Sequence, residues 1–265
     1  MYQRIFSSRF FVLVLFAMFL LAACQPQTPP ATQEPVASPM PATETPIPVE
    51  EPSDPNMLQS DILLDPALAI DADSMRVNQH IYTGLVVLDA NGNPQPGIAE
   101  SWTISDDQLT YIFTLRSDAA FSDGSPITPD DVADNVNRWL DPQSPLRGTG
   151  NYETWQQVFA GFLGEEDADG RPVSPVDGVQ KVDFNTVIVH LNRPVPELLT
   201  LLANPAFAVL KPGSLTDGNY GMISSSIISS GPYIVSSWTA DSLTLTPNPA
   251  YWGEVPQGDL QFSFR

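Results

Sequence analysis

The sequence has one cysteine, two histidines and two lysines in 265 residues. A lone cysteine, Cys24, allows no disulfide within the chain and no cysteine-built zinc site, so any folded part is held by its core. Neither His80 nor His190 stands in an H-E-x-x-H or C-x-x-C-H setting, and both read as structural. No G-x-S-x-G elbow occurs. Gly148-Thr149-Gly150 begins like a dinucleotide loop, but Glu153 stands where the third glycine belongs. The acidic run from Glu165 puts acids at calcium-loop positions 1, 3 and 5 and Gly170 at 6, yet position 12 is Val176, so it reads as a solvated turn. Asp106-Asp107 reads the same way. These gaps exclude the common catalytic constellations: no enzyme, cofactor or metal is expected.

Positive charge is scarce as well. Past Cys24 the chain holds nine basic against 31 acidic residues. Phosphate backbones need Lys and Arg patches, so no nucleic-acid partner is expected.

What is present begins at the N-terminus. Arg4 and Arg9 precede an unbroken apolar run from Phe10 to Ala23. The run is shorter than the roughly 20 residues of a spanning helix and has the length of a signal-peptide core. It ends Leu21-Ala22-Ala23-Cys24, which resembles the bacterial lipobox at all four positions. Residues 1–24 therefore read as a lipoprotein signal with Cys24 as the acylated residue; an ordinary secretory signal with an incidental cysteine is the alternative. Acyl chains contribute about 0.8 kcal/mol per buried methylene, enough in number to anchor the chain to the outer face of the cell membrane or in the periplasm. Residues 25–56 carry ten prolines and almost no large apolar side chains. Such a segment buries too little to fold and reads as a Pro-rich disordered tether.

From Met57 the pattern is mixed α/β. Met75, Val77 and Ile81 predict a helix over 72–83. Residues 86–88 predict a short strand ending in the turn run Asp89 to Pro94. Leu109, Tyr111, Phe113 and Leu115 alternate with polar neighbours, the period of a strand with one buried face. Asp123-Gly124 predicts a tight turn. Thr128-Pro129-Asp130-Asp131 is a helix start with N-cap, N1 proline and acids on the positive end, and Val132, Val136, Trp139 and Leu140 follow on one face. Val187, Val189 and Leu191 predict another strand, Pro196 a helix to Leu202, and residues 233–238 and 243–246 a hairpin. The sheet is expected to be antiparallel or mixed.

Several strings in order carry a family likeness. They are Asp65-Pro66-Ala67, Ile81-Tyr82-Thr83-Gly84-Leu85, Pro96-Gly97-Ile98-Ala99-Glu100-Ser101-Trp102, Leu109 through Arg116, Phe121-Ser122-Asp123-Gly124, and later Gly231-Pro232-Tyr233 and Asn248-Pro249-Ala250-Tyr251-Trp252-Gly253. In order and spacing the chain resembles the extracellular solute-binding proteins, family 5, the oligopeptide- and dipeptide-binding lipoproteins of ABC importers. The resemblance implies a type II, periplasmic-binding-protein-like fold of two lobes that close on a ligand by hinge bending. It implies a discontinuous first lobe of residues 57–82 plus 212–265 and an inserted α/β domain of 83–211. It implies that residues just after Asp65-Pro66, namely Ile70, Asp71 and Ala72, border the cleft and meet peptide main chain by strand addition; the loop 144–152 is a further candidate. Both read equally as ordinary surface loops. Members of the family carry a second lobe beyond the strand that 261–265 resembles, so the chain is expected to be the front part of such a receptor. The implied partners are a peptide or similar small solute, the ABC permease and ATPase complex, and the membrane through the N-terminal lipid. A lipid-anchored structural or interaction module that reuses the scaffold without transport is the alternative.

Overall fold

The computed structural model describes residues 54, 56–58, 61–216 and 218–265. Cys24 and nearly all of the proline-rich segment lie outside the described residues. In chain order the elements are β1 (Met57–Leu58), α1 (Ala72–Ile81), β2 (Val86–Leu88), β3 (Pro94–Pro96), β4 (Ala99–Ile104), β5 (Thr110–Leu115), α2 (Pro129–Leu140), α3 (Glu153–Phe159), β6 (Val176–Lys181), β7 (Thr186–Leu191), α4 (Leu198–Leu202), β8 (Tyr233–Trp238), β9 (Ser242–Pro247) and β10 (Leu260–Phe264). No described helix is long and apolar enough to cross a membrane.

The strands form two four-stranded sheets and a small hairpin of β2 with β3. One sheet has the order β4-β5-β7-β6 and is antiparallel throughout. The other has the order β1-β10-β9-β8, with β1 and β10 parallel.

Each sheet backs its own core. Tyr111, Phe113 and Leu115 of β5 and Val187, Val189 and Leu191 of β7 are buried on one face. They belong to one apolar cluster with Val132, Val136 and Trp139 of α2. Trp139, Trp155 and Phe159 surround Phe207, with ring centroids 5.5, 5.7 and 5.6 Å from it. The second core joins Leu58, Val77 and Ile81 to Leu243, Leu245 and Phe262. Two stretches that pass between the cores run side by side: Val209 N–H donates to Thr83 O at 3.0 Å, and Gly84 bridges Ala208.

Local chemistry explains most element ends. Asp71 caps α1 by accepting from Ser74 N–H at 2.7 Å. Thr128 and Asp131 form a reciprocal capping box on α2, with Pro129 inside it. Gly124 has φ +81°, as the turn requires.

Two predicted helices are shorter than the sequence suggested. α1 ends at Ile81, because Tyr82 turns extended (φ −131°, ψ 152°) and sends its hydroxyl to Leu64 O at 2.9 Å. α4 starts at Leu198, because a turn from Val195 O to Leu198 N–H takes up Pro196 and Glu197.

Candidate functional site

Residues 64–72 run exposed at one end and are clamped at the other. Asp65 is buried, and its carboxylate accepts both terminal nitrogens of Arg138, one at 3.1 Å. Main-chain N–H groups of Leu68 and Ala69 close on Asp65 O at 3.1 and 2.9 Å, winding the segment into a tight turn. Leu64 N–H donates to Gly221 O at 2.8 Å. Gly221 sits at φ +83°, and a Cβ there would lie 2.5 Å from Asp65 N, so only glycine fits. On the other flank, a Cβ on Gly150 would meet Leu68 Cδ2 at 2.2 Å. The loops around 150 and 221 thus hold this segment from two sides.

Past the clamp the chain faces water. Ile70 is 66% exposed. Asp71 is half-buried, its carboxylate spent on the α1 cap, and Ala72 is exposed in the first turn. In the loop 144–152, Tyr152 is buried. Its hydroxyl donates to Arg147 O at 2.7 Å, and the Arg147 guanidinium lies over its ring at 4.2 Å.

Beneath these loops runs a buried polar network. Arg138 Nε donates to Leu146 O at 3.1 Å, and Arg147 donates to Trp139 O at 2.8 Å. The Tyr82 and Tyr220 hydroxyls lie 2.7 Å apart. Burial pushes the Tyr152 phenol up to about 12 and those of Tyr82 and Tyr220 well above their ordinary range, so all three remain neutral hydroxyls. The sequence reading did not single out Arg138. Its signal was a polar pair, Asn135 and Arg138, on the apolar face of α2; Asn135 Nδ2 donates to Leu210 O at 2.7 Å.

The other sequence candidates stand apart from this segment. His80 is half-buried edge-on to Tyr233 at 5.8 Å, and burial, then Arg76, lowers its pKa. His190 meets Gln180 across the sheet at 3.3 Å. Asp167 ties its own turn through the N–H groups of Asp169 and Arg171.

Cations are engaged almost everywhere. Arg76, Arg116, Arg138, Arg171, Lys181 and Lys211 are in ion pairs with aspartates. Arg147 and Arg193 donate to main-chain carbonyls. Among the described residues this leaves Arg265.

Comparison with known proteins decides what the scaffold is. The model of the bacterial extracellular solute-binding proteins, family 5 (middle region), matches residues 93–260. The chain belongs to that family. Among curated family 5 relatives, the periplasmic murein peptide-binding protein MppA of Escherichia coli K12 is 30% identical over 193 residues, 71% of this chain and 34% of that protein. The periplasmic oligopeptide-binding protein OppA of the same strain is 30% identical over 197 residues, 72% of this chain and 35% of the relative. The match spans about a third of the length of these relatives. Among solved structures, HbpA2 from Haemophilus parasuis superposes with a TM-score of 0.66 at 27% identity, covering 79% of this chain and 43% of that one. The unliganded open form of MppA gives 0.63 at 26%, covering 78% and 40%. The mixed α/β architecture is thus part of a family 5 periplasmic-binding fold, as the motif order implied.

Proposed function

We propose that this chain forms part of a solute receptor that takes peptides for an ABC importer, delivering them to a permease and ATPase complex. The observation that carries this reading is the match, over more than two thirds of the chain, to two proteins named for binding murein peptide and oligopeptide. Residues 57–82 with 212–265 would build the first lobe, and 83–211 the inserted domain. Most of the two cores follows this division, Leu58, Val77, Leu243 and Phe262 in one and Phe113, Val132, Trp155 and Val189 in the other; Ala208 and Leu210 of the inserted stretch pack in the former, and Ala67 of the first-lobe stretch packs in the latter. Acylation at Cys24 would hold the receptor on the outer face of the membrane.

The cleft edge proposed is residues 70–72. Ile70 is presented outward by a segment anchored through Asp65 and Gly221. An edge held this rigidly costs little ordering when a peptide main chain lies against it. Calorimetric titration of the detergent-solubilised full chain tests the reading. Saturable heat with di- to pentapeptides, and none with monosaccharides, is expected. Binding of sugars alone, or of neither at millimolar concentration, would contradict it and favour an interaction module.

A further inference from the structure

An open groove of about 530 Å³ lies where residues 61–63, the loop at 222–223, the β8–β9 turn and the end of β10 meet. Apolar residues make up most of its lining: Ile62, Leu63, Met222, Ile223, Trp238 and Phe264. Trp238 and Phe264 also pack against the core of Leu58 and Phe262, which fixes that side. Met222 and Ile223 stand 55% and 49% exposed. Their turn is tied down all the same. Gly221 N–H donates to Ser225 Oγ at 3.0 Å, and the Ser225 hydroxyl donates to Met222 O at 2.7 Å. One residue joins the groove to the proposed peptide edge. Ser74 donates its N–H to the Asp71 carboxylate at 2.7 Å and accepts the Leu63 N–H on its hydroxyl at 2.8 Å.

We propose that this groove selects solutes by a large uncharged apolar side chain, so that the receptor favours peptides carrying leucine, methionine or phenylalanine close to the residue that lies on 70–72. The inference rests on the receptor reading and names the solute class within it. Three observations carry it. The volume falls within the range of small-molecule sites, roughly 300–1,000 Å³. Two adjacent large apolar side chains held in water beside further apolar lining mark a binding groove, where a single exposed one would not. One of the two is a methionine, whose unbranched side chain adapts to differently shaped apolar groups. Finally, Asp71 and Leu63 bond to the same serine, so the groove lies within about three extended residues of the edge, at roughly 3.3 Å each. The formal net charge of −20 works against a second copy of the chain as the occupant.

The test titrates the solubilised full chain with six tripeptides by calorimetry. Three are alanine peptides with one leucine, at the first, second or third position. The other three carry asparagine in its place, which is close to leucine in size and equal in charge. At one position at least, leucine is expected to bind about tenfold or more tighter than asparagine. The double variant Met222→Ser with Ile223→Ser should bring that pair to near-equal affinity while the asparagine peptide binds as before. Phe184→Ser removes an 87% exposed side chain from the β6–β7 turn, away from the groove, and should leave the preference intact. Peptide binding without any leucine preference overturns the proposal and leaves the receptor reading standing. So does a preference that survives the double variant, or one that Ile70→Ser abolishes in its stead, since it would then belong to the edge and not to the groove. Failure of the unaltered chain to bind any of the six removes the receptor reading and this proposal together. If sedimentation shows a dimer that the double variant dissociates, the groove belongs to a second copy and the proposal is overturned.

Discussion

Arg138, on the buried face of α2, forks onto the carboxylate of Asp65, a residue 73 positions earlier at the root of the exposed segment 70–72. Both side chains are almost wholly buried. A pair so placed lost its hydration on folding, so its net worth is small while both members are present. Removing one member strands a buried charge. Asp65→Asn or Arg138→Met should therefore each cost about 3–5 kcal/mol in urea unfolding. The double change Asp65→Leu with Arg138→Met should recover much of that loss. Single variants as stable as the parent would show that the pair does not hold the segment.

The turn at Gly124 tests backbone conformation alone, since a Cβ there meets nothing within 4 Å. With φ at +81°, Gly124→Val should cost about 1–3 kcal/mol, and Gly124→Asn less, because Asn tolerates the left-handed region better. Equal melting temperatures for the two would contradict the turn geometry.

Asp123, in the same turn, makes an acid-sensitive contact. The Lys211 ammonium, then the Ser125 hydroxyl, hold its carboxyl down to about 2 from an ordinary 3.8. The folded value is the lower one, so this contribution is complete above the unfolded value and is lost as pH falls through about 2. The carboxyl is over a third exposed, which limits it to about 1 kcal/mol or less. Lys211→Met should flatten the stability profile between pH 4 and 2, approximately, relative to the parent. Parallel profiles would rule the contact out.

Much of this scaffold was legible because its cues are local. The alternation in β5, the Thr128 capping box and the Asp123-Gly124 turn each fit within a few residues, and each appears where the sequence places it. β6 stayed hidden because Gly178, a register shift and polar residues blur its alternation. α3 stayed hidden because its N-cap is Tyr152 in the left-handed region, with no side-chain cap. The Asp65–Arg138 pair joins residues far apart in the chain, and no short-range pattern announces such a meeting. The family motifs pointed to residues 70–72 but said nothing of the Arg138 and Gly221 contacts that fix them.

The Leu21-Ala22-Ala23-Cys24 string makes its own prediction. Mass spectrometry of the mature protein should find an acylated residue 24 at the N-terminus, and Cys24→Ser should leave the precursor uncut and without lipid. A free, unmodified N-terminus at any other residue would contradict lipid anchoring.

Peptides should lie along residues 70–72, and amide chemical-shift mapping of the chain under titration with short peptides checks this residue by residue. Saturable shifts are expected at Ile70, Asp71 and Ala72 and in the flanking 144–150 and 221–223 loops. Saturable shifts that leave residues 70–72 untouched, or none at millimolar peptide, would contradict it.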